Sequence, residues 1–280
     1  MKKLVTIVFI TFIFLSLLFP TRVYSLDKKE LMVDVGGYKL HCRVFGKGTP
    51  AIVLISGANV LQTYWDMVIP TLSAKTTIVT YDRAGYGKSG IGNHVYHGVQ
   101  QAEELKVMLD KIDIQGPYIL VGHSFGGYFA RLFSSKYPQS MAGLILEDTT
   151  SENVTEYRRR RLKGEDLKFF KKMEDGPLPE NVRPEIKARK ITEKQVREIS
   201  QMPRIPFLII SGGKQLNRRR FSQESNRIMQ EIKIELHKKC LELIPDGKHI
   251  IVEGVYHTIH SEKPQTFIES VFELLEKARK

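Results

Sequence analysis

Residues 117–130 read Pro-Tyr-Ile-Leu-Val-Gly-His-Ser-Phe-Gly-Gly-Tyr-Phe-Ala, with Gly122, Ser124 and Gly126 at the centre. An apolar run of strand character ends at Gly122 and a helical pattern begins after Gly126, so the stretch predicts a strand, a sharp turn and a helix. A serine at such a turn sits in strained backbone, and the flanking glycines remove β-carbons that would collide where strand and helix pass. The Ser124 hydroxyl is thereby pushed out above the sheet. The helix start also aims free N–H groups and a positive dipole end towards it, which suits an oxyanion forming beside the serine. The alternative is a Gly-Ser-Gly connection without chemistry, since a random chain of this length holds Gly-x-Ser-x-Gly roughly one time in ten. The flanking elements, and an acid and a base further along in the order this geometry uses, favour a nucleophile.

The stretch and its surroundings resemble enzymes of the α/β-hydrolase fold, and the likeness runs from about residue 31 to the C-terminus. The resemblance implies a mostly parallel eight-stranded α/β sheet with helices on both faces and a helical cap inserted between strands 6 and 7. It also implies a serine esterase- or lipase-like activity. N-terminal to the elbow, residues 31–35 and 38–45 alternate about Gly36-Gly37 as a hairpin, and residues 51–55 form an apolar strand. The following turn is Ser56-Gly57-Ala58-Asn59. In the family it usually reads His-Gly, and the backbone N–H after the glycine is one of two oxyanion donors. Ser56 stands in place of that histidine, yet a main-chain donor survives the change, so the resemblance assigns Ala58 and Phe125 to the oxyanion hole, with Gly57 supporting. Loss of one such donor costs about 3 to 4 kcal/mol of transition-state stabilisation.

Trp65 and its neighbours have the spacing of core packing, and residues 77–81 form another strand. Asp82-Arg83-Ala84-Gly85-Tyr86-Gly87-Lys88-Ser89 is similar to the family's Asp-x-Arg-Gly-x-Gly-x-Ser loop, with the arginine one residue early. Its charged pair is expected to fix the loop. A phosphate-binding loop is excluded, because the required first glycine is Asp82 here. Residues 99–109 read as an amphipathic helix with Glu103 and Glu104 outward.

After the elbow helix, residues 142–147 form a buried strand ending at Asp148, and ligands bind beyond the carboxyl ends of such strands. Many relatives carry the acid after the next core strand, residues 207–210, but the turn here has no carboxylate before Glu224. That selects Asp148. Glu147 is a contender that strand alternation should turn away, and a helix-capping role for Asp148 is the plain alternative. Near the C-terminus, Tyr256-His257-Thr258-Ile259-His260 precedes a Pro264-led helix and is similar to the family's Gly-His-x-x-His. On that match His257 is the base and His260 a supporting hydrogen-bonding residue, although Tyr256 replaces the glycine. His123, inside the elbow, reads as a satisfied polar residue. No metal or organic cofactor is called for.

Residues 151–205 carry 15 Lys or Arg and 10 Asp or Glu, including Arg158 to Arg161. They read as a mostly helical lid, broken at Gly176-Pro177 and Pro179, with the charge run as a solvated face. The core is then 26–150 with 206–280, closing with a long helix at 222–243, a strand at 250–252 and the Pro264-led helix. At 280 residues and 42% hydrophobic content, one large domain is expected. Cys42 and Cys240, placed on an early edge strand and a late helix, are expected to stay unpaired.

Residues 1–25 have a secretory signal pattern: Lys2-Lys3, then sixteen mostly apolar residues, then Pro20 and a small-residue approach to Ser25. An uncleaved N-terminal anchor is the alternative. Either way the expected location is secreted or extracytoplasmic. Loss of Lys2, Lys3 and Arg22, with no acid, takes the formal charge from +12 to +9. A basic surface suits anionic cell-wall polymers or lipid headgroups, and no nucleic-acid motif is present.

The expected activity is hydrolysis of a small-molecule ester, thioester or amide through an acyl-enzyme. Serine at the elbow argues against the dehalogenase and epoxide-hydrolase chemistry of this fold, which uses aspartate there. Two rivals remain: an aminopeptidase, holding a substrate amine through Glu152 or Glu156, and a catalytically silent ligand-binding cell-surface protein.

Overall fold

The computed structural model describes residues 28–215 and 217–280. The signal-peptide reading of residues 1–25 therefore falls outside the described residues. Among the described residues no helix is long and apolar enough to cross a membrane.

Eight strands form one sheet: Lys28–Asp34 (β1), Lys39–Phe45 (β2), Ala51–Ile55 (β3), Ile78–Tyr81 (β4), Tyr118–His123 (β5), Met141–Glu147 (β6), Phe207–Gly212 (β7) and Lys248–Val252 (β8). Their spatial order is β1-β2-β4-β3-β5-β6-β7-β8. β1 and β2 pair antiparallel, as do β2 and β4, whereas the remaining pairs are parallel. The hairpin begins at Lys28 rather than residue 31. Cys42 lies on β2, inside the sheet rather than at its edge, because β1 covers that side; both cysteines are free and buried.

Ten helices complete the fold: Ile69–Ser73 (α1), Gly98–Lys111 (α2), Gly126–Lys136 (α3), Val154–Arg161 (α4), Gly164–Asp175 (α5), Pro184–Lys187 (α6), Arg189–Arg197 (α7), Gln223–Cys240 (α8), Ile259–Glu262 (α9) and Pro264–Ala278 (α10). The counts refer to the described residues. α4 to α7 lie between β6 and β7 in the chain.

Strand alternation divides the interior in two. On β3, Val53 and Ile55 face α2 and α3, packing with Leu105, Phe129 and Phe133, while Ile52 and Leu54 face α1 and α10, packing with Leu72, Phe267 and Val271. All four strand residues are fully buried, and such burial contributes about 1.5 to 3 kcal/mol per side chain. Trp65, on a short 3-10 turn, is fully buried, and its indole N–H donates to Ser56 Oγ at 3.0 Å. Glu104 corrects the outward reading of its helix: it is buried and accepts from His94 Nε2 at 2.9 Å. A polar residue on an amphipathic helix turns inward when a donor from a loop meets it, which periodicity does not reveal.

Candidate active site

β5 delivers Ser124 to the carboxyl edge of the sheet with φ +51°, the left-handed backbone that a sharp strand-to-helix turn requires. Its N–H donates to the Glu147 carbonyl at 3.0 Å, and its own carbonyl accepts from the Gly127 and Thr150 N–H groups at 3.1 Å each. The two glycines do what their spacing implied. A β-carbon at Gly122 would come within 2.7 Å of Gly127 Cα, and one at Gly126 within 2.4 Å of the Ile55 carbonyl oxygen. Adding either side chain would drive α3 away from β5 or β3.

At the end of β6, Asp148 meets the loop after β8. His257 Nδ1 donates to Asp148 Oδ2 at 2.5 Å, the Gly212 N–H donates to Oδ1 at 2.9 Å, and Lys233 Nζ lies 3.0 Å from Oδ1. Burial alone would raise this carboxyl, but the His257 hydrogen bond and the Lys233 charge outweigh it and hold it at about 2. An ionised carboxylate only accepts, so it fixes the proton on Nδ1 and leaves Nε2 as a base. Glu262 braces the loop: its carboxylate accepts from the Tyr256, His257 and Thr258 N–H groups.

Glu147, one residue earlier, points to the opposite side of the sheet. It accepts from the His260 N–H and from His260 Nδ1, both at 2.8 Å, with both side chains fully buried. The imidazole of His260 packs 4.3 Å, between ring centroids, from Trp65. His260 thus anchors the loop from beneath and makes no contact with Asp148. His123 is not the satisfied residue expected. Its Nε2 donates to the His257 carbonyl at 3.2 Å, whereas Nδ1 is buried without a partner. Burial holds its pKa down at about 4, so the ring is neutral near pH 7.

The turn after β3 packs against the elbow: a β-carbon at Gly57 would lie 3.2 Å from Ser124 Cβ. Arg83 donates to the Ser56 and Gly57 carbonyls at 2.6 and 2.9 Å, and Tyr86 Oη accepts from the Asn59 N–H at 3.0 Å. Glu185 holds both donors, Arg83 at 2.7 and 2.8 Å and Tyr86 at 2.7 Å. Arg83 therefore does not pair with Asp82, which instead accepts from the Gln62 backbone N–H at 2.9 Å. Around Ala58 the neighbouring polar groups are occupied. Among the described residues the Ala58 and Phe125 N–H groups have no partner.

Ser124, Asp148 and His257 line one cavity of about 270 Å³, walled by α4, α7 and α8. In this arrangement no direct hydrogen bond joins the Ser124 hydroxyl to His257. Such bonds are often long without substrate and tighten when it binds. The cavity wall is charged, with Arg158, Arg189, Arg218 and Lys233 in it beside Glu174 and Glu193. That corrects the reading of the Arg158 to Arg161 run as a solvated face: an eight-residue helix spreads four consecutive residues around its circumference, and one of them turns inward. Glu152 and Glu156 do not line this cavity. Glu152 is held by Arg131 and Glu156 by Arg160, so neither is free for a substrate amine.

Lys233, Glu262, Glu185 and Arg218 were not anticipated at the site. Each meets its partner through tertiary packing; only the Glu262 spacing, five residues after His257, was local enough to suggest a loop brace.

A family model described as alpha/beta hydrolase fold matches residues 50–174. Over 241 residues the chain is 23% identical to the uncharacterized protein YqjL of Bacillus subtilis, covering 82% of this chain and 85% of that one. It is 24% identical over 258 residues to the sn-1-specific diacylglycerol lipase ABHD11 of Mus musculus, covering 81% of each. Several further curated relatives are matched over less than half of their own length. Among solved structures, wild-type Cfl2 from Burkholderia cenocepacia superimposes with a TM-score of 0.65 at 18% identity, covering 89% of this chain and 96% of that one.

Proposed function

We propose that this chain is a member of the α/β-hydrolase superfamily and a serine hydrolase that cleaves a small-molecule ester through an acyl-enzyme. The observation that carries the reading is the Asp148–His257 hydrogen bond within the cavity that Ser124 also lines. His257 Nε2 takes the proton of Ser124 as its oxygen attacks the carbonyl carbon. The carbonyl oxygen becomes an oxyanion and accepts from the Ala58 and Phe125 N–H groups. The imidazolium then gives its proton to the departing alkoxide, and water repeats the sequence to release the acid and restore Ser124. Asp148 keeps the imidazole in the productive tautomer and stabilises its charge. Thioesters and amides would follow the same steps with different leaving groups.

The site of action proposed is outside the cytoplasmic membrane, on the pattern of residues 1–25 and the basic surface. Fractionation of the expressing cell tests it: activity confined to the cytosol would refute it.

Mixing excess protein-normalised p-nitrophenyl ester with the protein in stopped flow tests the chemistry. A burst of p-nitrophenolate close to one equivalent, followed by slower turnover, is the expected trace. Ester hydrolysis absent across chain lengths, with aminoacyl amides cleaved instead, would favour the aminopeptidase reading. Absence of turnover on both would favour the silent binder.

A further inference from the structure

We infer that the substrate carries an anionic group, a carboxylate or phosphate, and that Arg158 and Arg218 receive it inside the cavity that holds Ser124. The inference rests on the serine-hydrolase reading for the word substrate; the binding site itself does not.

Four consecutive arginines on α4 supply an internal contrast. Arg159 pairs with Asp175, Arg160 with Glu156, and Arg161 with Glu231 and Glu235. Arg158 alone of the four has no carboxylate bonded to it among the described residues. Its Nε is buried without a hydrogen-bond partner, and its guanidinium lies 6.0 Å from the Phe170 ring centroid, at the outer limit of a cation–π contact. A guanidinium has five donors in a planar fork suited to a carboxylate or phosphate, and a buried donor left unmet is costly.

Arg218 stands at the solvent-open side of the same cavity. Its backbone is fixed, the N–H donating to Asn226 Oδ1 at 3.0 Å and the carbonyl accepting from Asn226 Nδ2 at 3.2 Å. Its guanidinium has no bonded partner among the described residues. Burial first, and then the charge of Arg218, hold the Arg158 pKa down to about 10. The charge of Arg218 thus disfavours the Arg158 cation, and an anion received in the cavity they both line relieves it.

The acids in the wall do not supply that anion. Glu174 acts on Arg158 through space, but its oxygens accept from Arg189 at 2.6 Å and Thr155 at 3.2 Å. Asp148 is engaged by His257 and Lys233. Glu193 lies 3.7 Å from Arg189 and 3.9 Å from Arg197, and burial raises its carboxyl pKa. One cavity thus holds two guanidiniums without a bonded carboxylate and the serine hydroxyl, and its volume suits a small group.

Calorimetric titration of the full chain with glutarate, inorganic phosphate and neutral glutaramide tests the site without needing turnover. Glutarate or phosphate should bind at least tenfold more tightly than glutaramide, and which of the two wins identifies the anionic group. Arg158→Gln and Arg218→Gln should each weaken the preferred anion roughly 10- to 100-fold, with Arg218→Lys retaining part of the affinity. Should Arg158→Gln fail to fold, the Arg218 pair carries the test. Equal binding of glutarate, phosphate and glutaramide, or anion binding unchanged in a folded Arg218→Gln, would overturn the inference. Kinetics separate the two levels. Turnover of p-nitrophenyl butyrate without anion selectivity leaves the hydrolase and removes the anion site; selective anion binding without turnover of either p-nitrophenyl butyrate or mono-p-nitrophenyl glutarate does the reverse.

Discussion

The floor of the cavity and its wall are built on different principles. On the floor, Ser124, Asp148 and His257 stand at the carboxyl ends of, or just beyond, β5, β6 and β8, and backbone geometry aims them. On the wall, Arg158, Arg189, Arg218 and Lys233 project from helices or a loop, and it is the company they keep that gives each its part. Arg189 and Lys233 are neutralised by Glu174 and Asp148, whereas Arg158 and Arg218 are not. On the proposed function, the contrast assigns reactivity to groups aimed by the main chain and selectivity to unbalanced side-chain charge.

That division is open to attack at both ends. The floor should be indifferent to substrate charge. Ser124→Ala or His257→Ala should lower turnover on the order of 10⁶-fold for neutral and anionic esters alike, measured as kcat. A loss confined to one ester class would blur the boundary between floor and wall.

Asp148→Asn should come next, at about 10⁴-fold in kcat, because an amide in place of the carboxylate favours the wrong imidazole tautomer. Glu147→Gln, one residue away, should change kcat by no more than a few-fold while lowering the melting temperature, since an amide keeps a single neutral acceptor for the two donors of buried His260. Activity surviving in the first variant and lost in the second would exchange the two roles.

Glu185 belongs to α6, on the wall side, yet it holds the oxyanion turn through Arg83 and Tyr86. Glu185→Gln should reduce kcat roughly tenfold with KM little changed, less than the ~3 kcal/mol of a deleted donor because Ala58 keeps its N–H. A KM effect with kcat intact would make Glu185 a substrate-binding residue instead.

The smallest effect on neutral-pH turnover concerns His123 and His237, both held at about 4 by burial against an ordinary value of 6.5. Between those values the unfolded chain carries protons that the folded chain does not, so stability should fall as pH drops from 6.5 to about 4 and then level off for these groups. Each histidine contributes up to roughly 3 kcal/mol to that loss. Asp148, held at about 2 against 3.8, loses its own contribution only below about pH 4. Denaturant midpoints across pH 3 to 8 would show it; a flat profile between 6.5 and 4 would contradict the buried neutral histidines.

What could be read in the sequence follows the same division. The elbow was legible because Gly122 and Gly126 are needed by contacts within a few residues of the serine or by the neighbouring strand. Asp148 was legible by elimination and Glu147 by alternation, both properties of a strand end. The hairpin, the central strands and the long helices followed from periodicity. Arg158 was misread because four adjacent arginines look alike until α4 has a cavity on one side. Glu104 was misread for the same reason, since His94 reaches it from a loop. Lys233 is 85 residues from Asp148 and Glu185 102 residues from Arg83, and no local pattern records such meetings.

The central claim is that the Ser124 hydroxyl is activated by His257 and Asp148. Intact-protein mass spectrometry after exposure to a fluorophosphonate measures this directly. A single adduct on Ser124 is expected in the folded wild type, absent in Ser124→Ala and formed far more slowly in His257→Ala. A folded wild-type chain that stays unmodified, or reacts at the same rate without His257, would contradict it.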